Sequence, residues 1–574
     1  MKSRLWQHLP CDNEHTAALS AALGVTPIIA RLLCMRGLSD PEQAQRFLNP
    51  SIEHLHDPFR LADMRLAVER LERALVQHER IAIHGDYDVD GITSTVILRR
   101  ALELLGGDVV HFIPDRLRDG YGLQPAAIDR LHAEGVGVIV SVDCGIRSTE
   151  AALRARALGV DLIVTDHHEP EGSLPPALAV INPKRHDCSY PDKHLAGVGV
   201  ALKLVQALCE RAGKARYLSS FVKIAAIGTL ADVVPLVGEN RVIARLGLAS
   251  LSRGPHTIGL RSLLDASGLT GKTIDSYQVA FILAPRVNAA GRMSSPDIAT
   301  RLLLAKDEAM GDEARGLAQQ LNEENLRRQQ EEAGLVAEAR KAIENDPAVG
   351  AHNVLVVGGA GWHRGVIGIA ASKLVDAYHK PAIVLSVDGD VAHGSCRSIP
   401  DFDMLAALEH CSDLFLKFGG HRQAAGLTMD AARVPEFRAR VNAYADERLE
   451  PDQLRPRLRI DGPLDLKSIT HDLMRDLDSM GPFGMSNPRP VFHASGVEIV
   501  DGPRTLKERH LKMTFSQDGR RFRAIAWRAA EHADLLTRNR GNVNLAFSLE
   551  KNEFKGETYL ELNVADFKCP GEVE

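Results

Sequence analysis

Ile81-Ala82-Ile83-His84-Gly85-Asp86-Tyr87-Asp88-Val89-Asp90-Gly91 is the stretch that decides the reading of this chain. A short apolar run ends in a cluster of carboxylates and a histidine, and the pattern recurs twice. Val136 to Val142 runs into Asp143-Cys144-Gly145, and Asp161 to Thr165 into Asp166-His167-His168. Short β-rich runs between helix-like stretches read as buried parallel strands. Open α/β sheets bind ligands outside the carboxyl ends of their strands. The three clusters are therefore expected to meet at one crevice, with the oxygen and nitrogen donors that divalent cations require. A single D-x-D carries little weight, because acids crowd loops and caps in any protein. The set carries the reading: if the sheet forms, these groups lie too close to stay charged and unpaired, and cations relieve the repulsion. The plainer alternative is a group of loop-end acids bonded to helix N-termini.

Working outward, strand-like and helix-like segments alternate from Arg80 to about Pro235, with further strands at Asp108 to Ile113 and Leu178 to Ile181. They predict a parallel sheet with flanking helices. Residues 1–60 read as helical, with Ser39-Asp40-Pro41 a strong helix start. A helical extension follows over 241–305. Residues 306–346 are rich in Ala, Glu, Gln, Leu and Arg without proline, and read as a long connecting helix stopped at Asp346-Pro347. A second, smaller α/β domain is expected over 350–450. The last segment, 456–570, turns to period-2 alternation, with Leu511, Met513 and Phe515 apolar and Asp518-Gly519 a hairpin signal. Between Arg504 and Arg540 ten Lys/Arg stand against four acids. A small β barrel with a basic face and aromatics Phe515, Phe522 and Trp527 fits a single-strand nucleic-acid groove, or a solvated face with its aromatics inside.

The whole chain has 574 residues, enough for three or four domains at about 150 residues each. Its net charge of -6 decides nothing about nucleic acid, since a local basic surface is what matters. The eight cysteines show no C-x-x-C pair, which fits reduced thiols in the cytoplasm. No signal-peptide core or membrane-length apolar run stands out. Gly271-Lys272-Thr273 resembles the tail of a P-loop, but Ala266 occupies the required first glycine position, so no ATP site is expected.

The H-x-x-x-D-x-D run at His84, Asp88 and Asp90, with Asp143 and Asp166-His167-His168, resembles the signature of the DHH phosphoesterase superfamily. Gly419-Gly420-His421 resembles the G-G-H motif of that superfamily's associated second domain, DHHA1. Ile113-Pro114 with Gly120-Tyr121-Gly122-Leu123, Leu283 to Met293, and Gly361-Trp362-His363-Arg364 resemble the RecJ branch, the single-stranded-DNA-specific exonucleases. The resemblance implies a multidomain α/β fold: a parallel-sheet DHH domain (61–240), the long helix, a DHHA1-like domain and an OB-like β barrel. It implies two divalent cations, Mn²⁺ preferred with Mg²⁺ as the alternative. His84 and Asp88 would hold one, Asp90, His167 and Asp232 the other, and Asp143 would bridge them. His168 would face the scissile phosphate and Asp166 would orient a histidine. Arg116, Arg286, Asn288, Arg292, Ser395, Arg397, Gly420 and His421 would contact phosphate or sugar. The implied activity is 5′-to-3′ removal of nucleotides from single-stranded DNA in repair and recombination. Expected partners are a single-strand-binding protein and a helicase, with the enzyme itself a monomer off the membrane. The rival readings are a DHH-type small-nucleotide or oligonucleotide phosphodiesterase and a non-catalytic single-strand-binding replication factor. The basic C-terminal β domain favours a long polymer.

Overall fold

The computed structural model describes residues 4–115, 119–120, 122–554 and 557–569. The chain divides into two compact units. One comprises Pro10–Asn325 with Ser468–Pro490, and the other Met1–Leu9, Leu326–Lys467 and Val491–Glu574.

In the first unit a five-stranded sheet is entirely parallel, in the spatial order Asp108–Phe112, Arg80–Gly85, Val136–Val142, Asp161–Thr165, Ala179–Ile181. Numbered along the chain, that order is 2-1-3-4-5. Its topological switch point lies between Arg80–Gly85 and Val136–Val142, the place where such sheets open a crevice. Ile81, Ala82 and Ile83 are fully buried because both faces of the sheet are covered. Helices Val89–Leu104, Gly197–Arg211 and Leu218–Ala231 pack with Ile81, Ile83, Val138 and Val140 on one face. Pro125–Ala133 and Thr149–Leu158 pack with Ala82 and Ile139 on the other. The parallel register sets Ser141 beside His84 and Thr165 beside Val142, so the acidic clusters leave the sheet side by side.

The second unit holds a mixed five-stranded sheet, ordered Phe415–His421, Ala424–Asp430, Val391–Arg397, Ala382–Asp388, Leu355–Ala360. It also holds an OB-type barrel that closes on itself. Phe492–Leu506, His510–Gln517, Arg520–Ala526, Glu557–Lys568 and Val543–Phe554 pair in turn, and the first also pairs with the last. Each of these five strands is paired on both sides over at least part of its length. Leu511, Met513 and Phe515 point into the barrel core, and Asp518 (φ 48°) and Gly519 (φ 79°) form the expected hairpin turn. Phe515 is thus a core residue, not a groove aromatic, whereas Trp527 is half exposed against His510.

Three features depart from the sequence reading. Residues 1–60 are not wholly helical, because Leu5–His8 is a strand parallel to Arg457–Ile460. The partner lies some 450 residues away and leaves no local signal. The long helix runs Gly311–Asn345, and the boundary between units falls inside it. Ser468–Pro490 does not belong with the barrel that flanks it. Buried Arg241, stacked 3.5 Å over the Phe47 ring, donates to the Gly481 carbonyl (2.9 Å); Arg36 Nε donates to Asn487 Oδ1 (2.7 Å); and Leu236 N donates to the Met485 carbonyl (2.9 Å). Among the described residues no single helix is long and apolar enough to cross a membrane.

Inside the first unit, Lys203 and Glu239 form a completely buried ion pair (2.9 Å), and Tyr190 OH and His56 N also donate to the same carboxylate. Removing one partner leaves an uncompensated buried charge. Lys203→Met is expected to destabilise this unit by about 3–5 kcal/mol, read as a lowered denaturation midpoint. Lys203→Met/Glu239→Gln should recover part of the loss.

Candidate metal centre

The switch-point crevice is built from strand ends. Arg80–Gly85 delivers His84, and the chain then turns through Asp86 and Tyr87 to Asp88, which caps the helix Val89–Leu104 by accepting from Asp90 N (2.9 Å) and Gly91 N (3.1 Å). Asp90, in the first helical turn, is buried, and its carboxylate accepts from Gly197 N (2.7 Å) and Val198 N (2.8 Å) at the start of Gly197–Arg211. Position 197 needs glycine, since a Cβ there would lie 2.3 Å from Asp143 Oδ1. Asp143 sits just past Val136–Val142 with φ 61°, a left-handed conformation that a non-glycine residue holds only when its surroundings enforce it.

His167 is the hub. Its Nε2 lies 3.2 Å from Asp143 Oδ1, 3.6 Å from Asp232 Oδ2 and 3.9 Å from Asp90 Oδ2. Its ring also bonds the Leu195 backbone, which leaves Nε2 to act as acceptor. Three groups hold their donor atoms close enough to share an ion: Asp90, His167 and Asp232; Asp143, His167 and His168; and Asp86, Asp88 and Asp143.

The electrostatics fit a cation. Burial pushes His84 down to about 4 and His167 to about 3, so both rings are neutral and carry a free lone pair near pH 7. Burial, then the charges of Asp232 and Asp88, push Asp90 well above the usual carboxylate range. Burial, then Asp90, Asp88 and Asp86, do the same to Asp143. Burial, followed by Asp88, raises Asp232 to about 7. His84 Nε2, Asp143 Oδ1 and His167 Nε2 are buried without a hydrogen-bond partner. Buried polar atoms are ordinarily paired, and two of these, Asp143 Oδ1 and His167 Nε2, lie together in the donor groups, as a cation site requires. The donor set accommodates divalent ions.

Asp166 behaves differently. Its Oδ1 accepts from His167 N, His168 N and His168 Nδ1 (2.7 Å), and its Oδ2 from Ile146 N. Burial alone would raise it, but these bonds, led by His168, hold it near 2. Burial in turn would lower His168, and Asp166 outweighs that and raises it. Asp166 is therefore an anionic anchor that orients half-buried His168 beside His167 (ring centroids 4.5 Å apart) and favours its protonated form.

The predicted residues distribute as follows. Asp88, Asp90, Asp143, His167, His168 and Asp232 converge, with Asp166 behind them. Asp232 follows the helix Leu218–Ala231 as its cap. His84 lies within the same crevice wall, its Nδ1 3.6 Å from Cys144 Sγ, but outside the three close groups. Asp86 was not singled out from sequence, yet it joins Asp88 and Asp143. The signal was present in the alternation His84, Asp86, Asp88, Asp90. Asn288, on the helix Ala284–Met293, accepts from Val89 N (3.1 Å) and so braces the acidic loop. Arg286 instead bonds Ile282 O (2.6 Å) and Asn322 Oδ1 (3.1 Å), and Arg292 lies in the last turn of the same helix. Arg116 lies outside the described residues.

The remaining four lie together in the mixed sheet of the other unit. Ala424 pairs with Arg397 on one side and His421 on the other, and Gly426 pairs with Ser395. Gly420 (φ 148°) could not be replaced, because a Cβ would lie 2.5 Å from Ala424 O. A Cβ on Gly368, in the first turn of the helix Ile367–Tyr378, would approach Ser395 Oγ to 2.9 Å and Arg397 Nη2 to 3.3 Å. A helix N-terminus beside a serine and an arginine suits a phosphate.

Comparison with known proteins agrees with this geometry. Residues 80–229 match the DHH family N-terminal domain, 351–447 the DHHA1 domain and 460–566 the RecJ OB domain. The chain is 35% identical to the single-stranded-DNA-specific exonuclease RecJ of Escherichia coli, over 96% of each protein. The chain belongs to the RecJ family. A crystal structure of RecJ from Thermus thermophilus in complex with Mn²⁺ superposes with a TM-score of 0.84 at 34% identity, covering 99% of this chain and 80% of that one. The same RecJ with Mg²⁺ gives 0.78 at 33% identity, over 99% and 79%. Divalent cations thus occur in RecJ structures of this fold.

Because Asp166 both orients the histidines and accepts four hydrogen bonds as a buried anion, Asp166→Asn should weaken Mn²⁺ affinity or activity by about 10–100-fold and lower the melting temperature as well. Manganese EPR titration alongside a thermal melt checks both halves.

Proposed function

We propose that this protein is a metal-dependent exonuclease that removes nucleotides 5′-to-3′ from single-stranded DNA, in repair and recombination. The observation that carries the reading is the convergence of unpaired His167 and Asp143 donors with Asp90 and Asp232 at the switch-point crevice, in a chain collinear with RecJ.

Two divalent cations would be held here, one by Asp90, His167 and Asp232 and the other by Asp86, Asp88 and His84, with Asp143 within reach of both sets. Mixed imidazole and carboxylate ligation suits Mn²⁺ better than Mg²⁺. When bound, such ions lower the pKa of water and neutralise phosphate oxygens. The chain's own residues supply the rest. His168, which Asp166 orients and whose protonated form it favours, would face a non-bridging phosphate oxygen as charge develops there. Asn288 holds the Asp88–Asp90 loop in its ligating shape, and the Ala284–Met293 helix offers Arg286 and Arg292 to the strand backbone. Arg286 must leave Ile282 O to do so. Arg116 would join them. Ser395, Arg397, Gly420 and His421 form a phosphate cradle, the arginine fork being suited to bidentate contact.

Domain roles follow: residues 61–240 carry the metals, 350–450 grip phosphate, and 456–570 hold the strand against the barrel's basic face. A monomer acting in the cytoplasm with a single-strand-binding protein and a helicase is consistent with these parts. Strands labelled at either end test the reading in Mn²⁺. Mononucleotides should come from the 5′ end of single strands, duplex should resist, and Asp143→Ala should slow release by about a hundredfold or more. Digestion from the 3′ end alone contradicts the polarity, and near-normal activity of Asp143→Ala contradicts the metal assignment.

A further inference from the structure

Four of the exposed large apolar side chains in the metal-bearing unit belong to segments that are hydrogen-bonded to one another: Val233 (66% exposed), Tyr277 (61%), Phe281 (67%) and Met485 (52%). Leu236 N donates to Met485 O, and Ser276 Oγ donates to Phe483 O (2.7 Å), so the loop after Asp232, the Tyr277 turn and the Ser468–Pro490 segment are tied together. Val233 immediately follows Asp232. It holds φ 60°, a conformation that costs a β-branched residue energy and persists only where the surroundings impose it. Tyr277 and Phe281 lie with ring centroids 4.9 Å apart and planes 32° apart. Phe281 belongs to a π-helical turn, Val279–Leu283, that packs on the Leu218–Ala231 helix and continues into Ala284–Met293. Seven residues on, about 10 Å along the axis, Asn288 holds the Asp88–Asp90 loop. Exposed aromatics thus stand on the same short helical stretch that braces the metal centre.

We infer that Tyr277 and Phe281 form a stacking platform for unpaired nucleobases of the strand entering the metal centre, with Val233 and Met485 as its apolar rim. The inference rests on the exonuclease reading and adds to it a source of single-strand preference. Bases in a duplex are stacked on one another and paired, so only an unpaired base can offer its face to the two rings. Base–aromatic stacking tolerates any sequence, as an exonuclease needs. Continuity with the acidic loop through the Asn288 brace argues for nucleic acid over a protein partner.

The test uses the full chain in Mn²⁺, with a natural single strand and an abasic strand of equal length. Tyr277→Ala/Phe281→Ala is expected to raise KM for the natural strand about tenfold or more, with the effect in KM rather than kcat. Mn²⁺ affinity should stay at the wild-type level, and on the abasic strand the two proteins should behave alike. Tyr277→Phe/Phe281→Trp should restore the wild-type KM. An unchanged KM, an equal loss on both strands, or a self-association in sedimentation that the double variant abolishes would each overturn the platform while leaving the exonuclease reading standing. Wild-type protein that neither binds nor cleaves single strands would overturn both.

Discussion

Buried carboxylates of like charge cannot share a crevice without something positive between them. Two unit charges about 4 Å apart repel by about 4 kcal/mol even at an effective dielectric near 20. Here Asp90, Asp143 and Asp232 all approach His167 Nε2 within 3.9 Å, and the ring is neutral. The fold spends much of its local geometry on creating this crowding. Glycine at 197 lets Asp143 press against a helix N-terminus, Asp143 itself is held in a left-handed conformation, and parallel register brings the three strand ends level. Helix-start hydrogen bonds to Asp90 and Asp88 offset part of that cost, and a divalent cation would offset the rest.

The partition of the chain bears on how the C-terminal region contributes. Ser468–Pro490 lies between segments of the barrel-bearing unit in sequence, yet it is bonded to Arg36, Leu236 and Arg241 of the metal-bearing unit. Leu236 follows Asp232 by four residues, and Asn240, which donates to Pro235 O and accepts from Ala196 N, pins the same turn from the other side. The loop that presents Asp232 is thus shaped partly by residues far along the chain. Ser468–Pro490 is accordingly a structural constituent of the unit that holds the acidic crevice, whereas the barrel strands on its C-terminal side belong to the other unit.

Much of this was legible in the sequence, for identifiable reasons. Strands Arg80–Gly85, Val136–Val142 and Asp161–Thr165 announced themselves because buried parallel strands are continuous apolar runs, and the polar residues ending them could only lie at their carboxyl ends. Asp40 capping Pro41–Leu48 and the turn at Asp518-Gly519 followed from local chemistry alone. What escaped depends on distant partners. Leu5–His8 is too short to declare itself a strand without Arg457–Ile460 beside it. Asp232 reads locally as a helix cap, which it also is, and only resemblance drew attention to it. For Phe515 the sequence left groove and core open together, and the barrel's closure decides for the core. Arg286 stands where the motif implied, yet its guanidinium is engaged by its own helix and by Asn322, which no pattern along the chain encodes.

The central claim is that the crevice bounded by His84, Asp88, Asp90, Asp143, His167 and Asp232 is a cation cage. Anomalous diffraction at the manganese edge from crystals soaked in Mn²⁺ addresses it without reference to activity. The account predicts strong peaks within bonding distance of Asp143, with the carboxylates of Asp90 and Asp232 turned towards one of them. Clean density for the same side chains with no anomalous peak among them would contradict it.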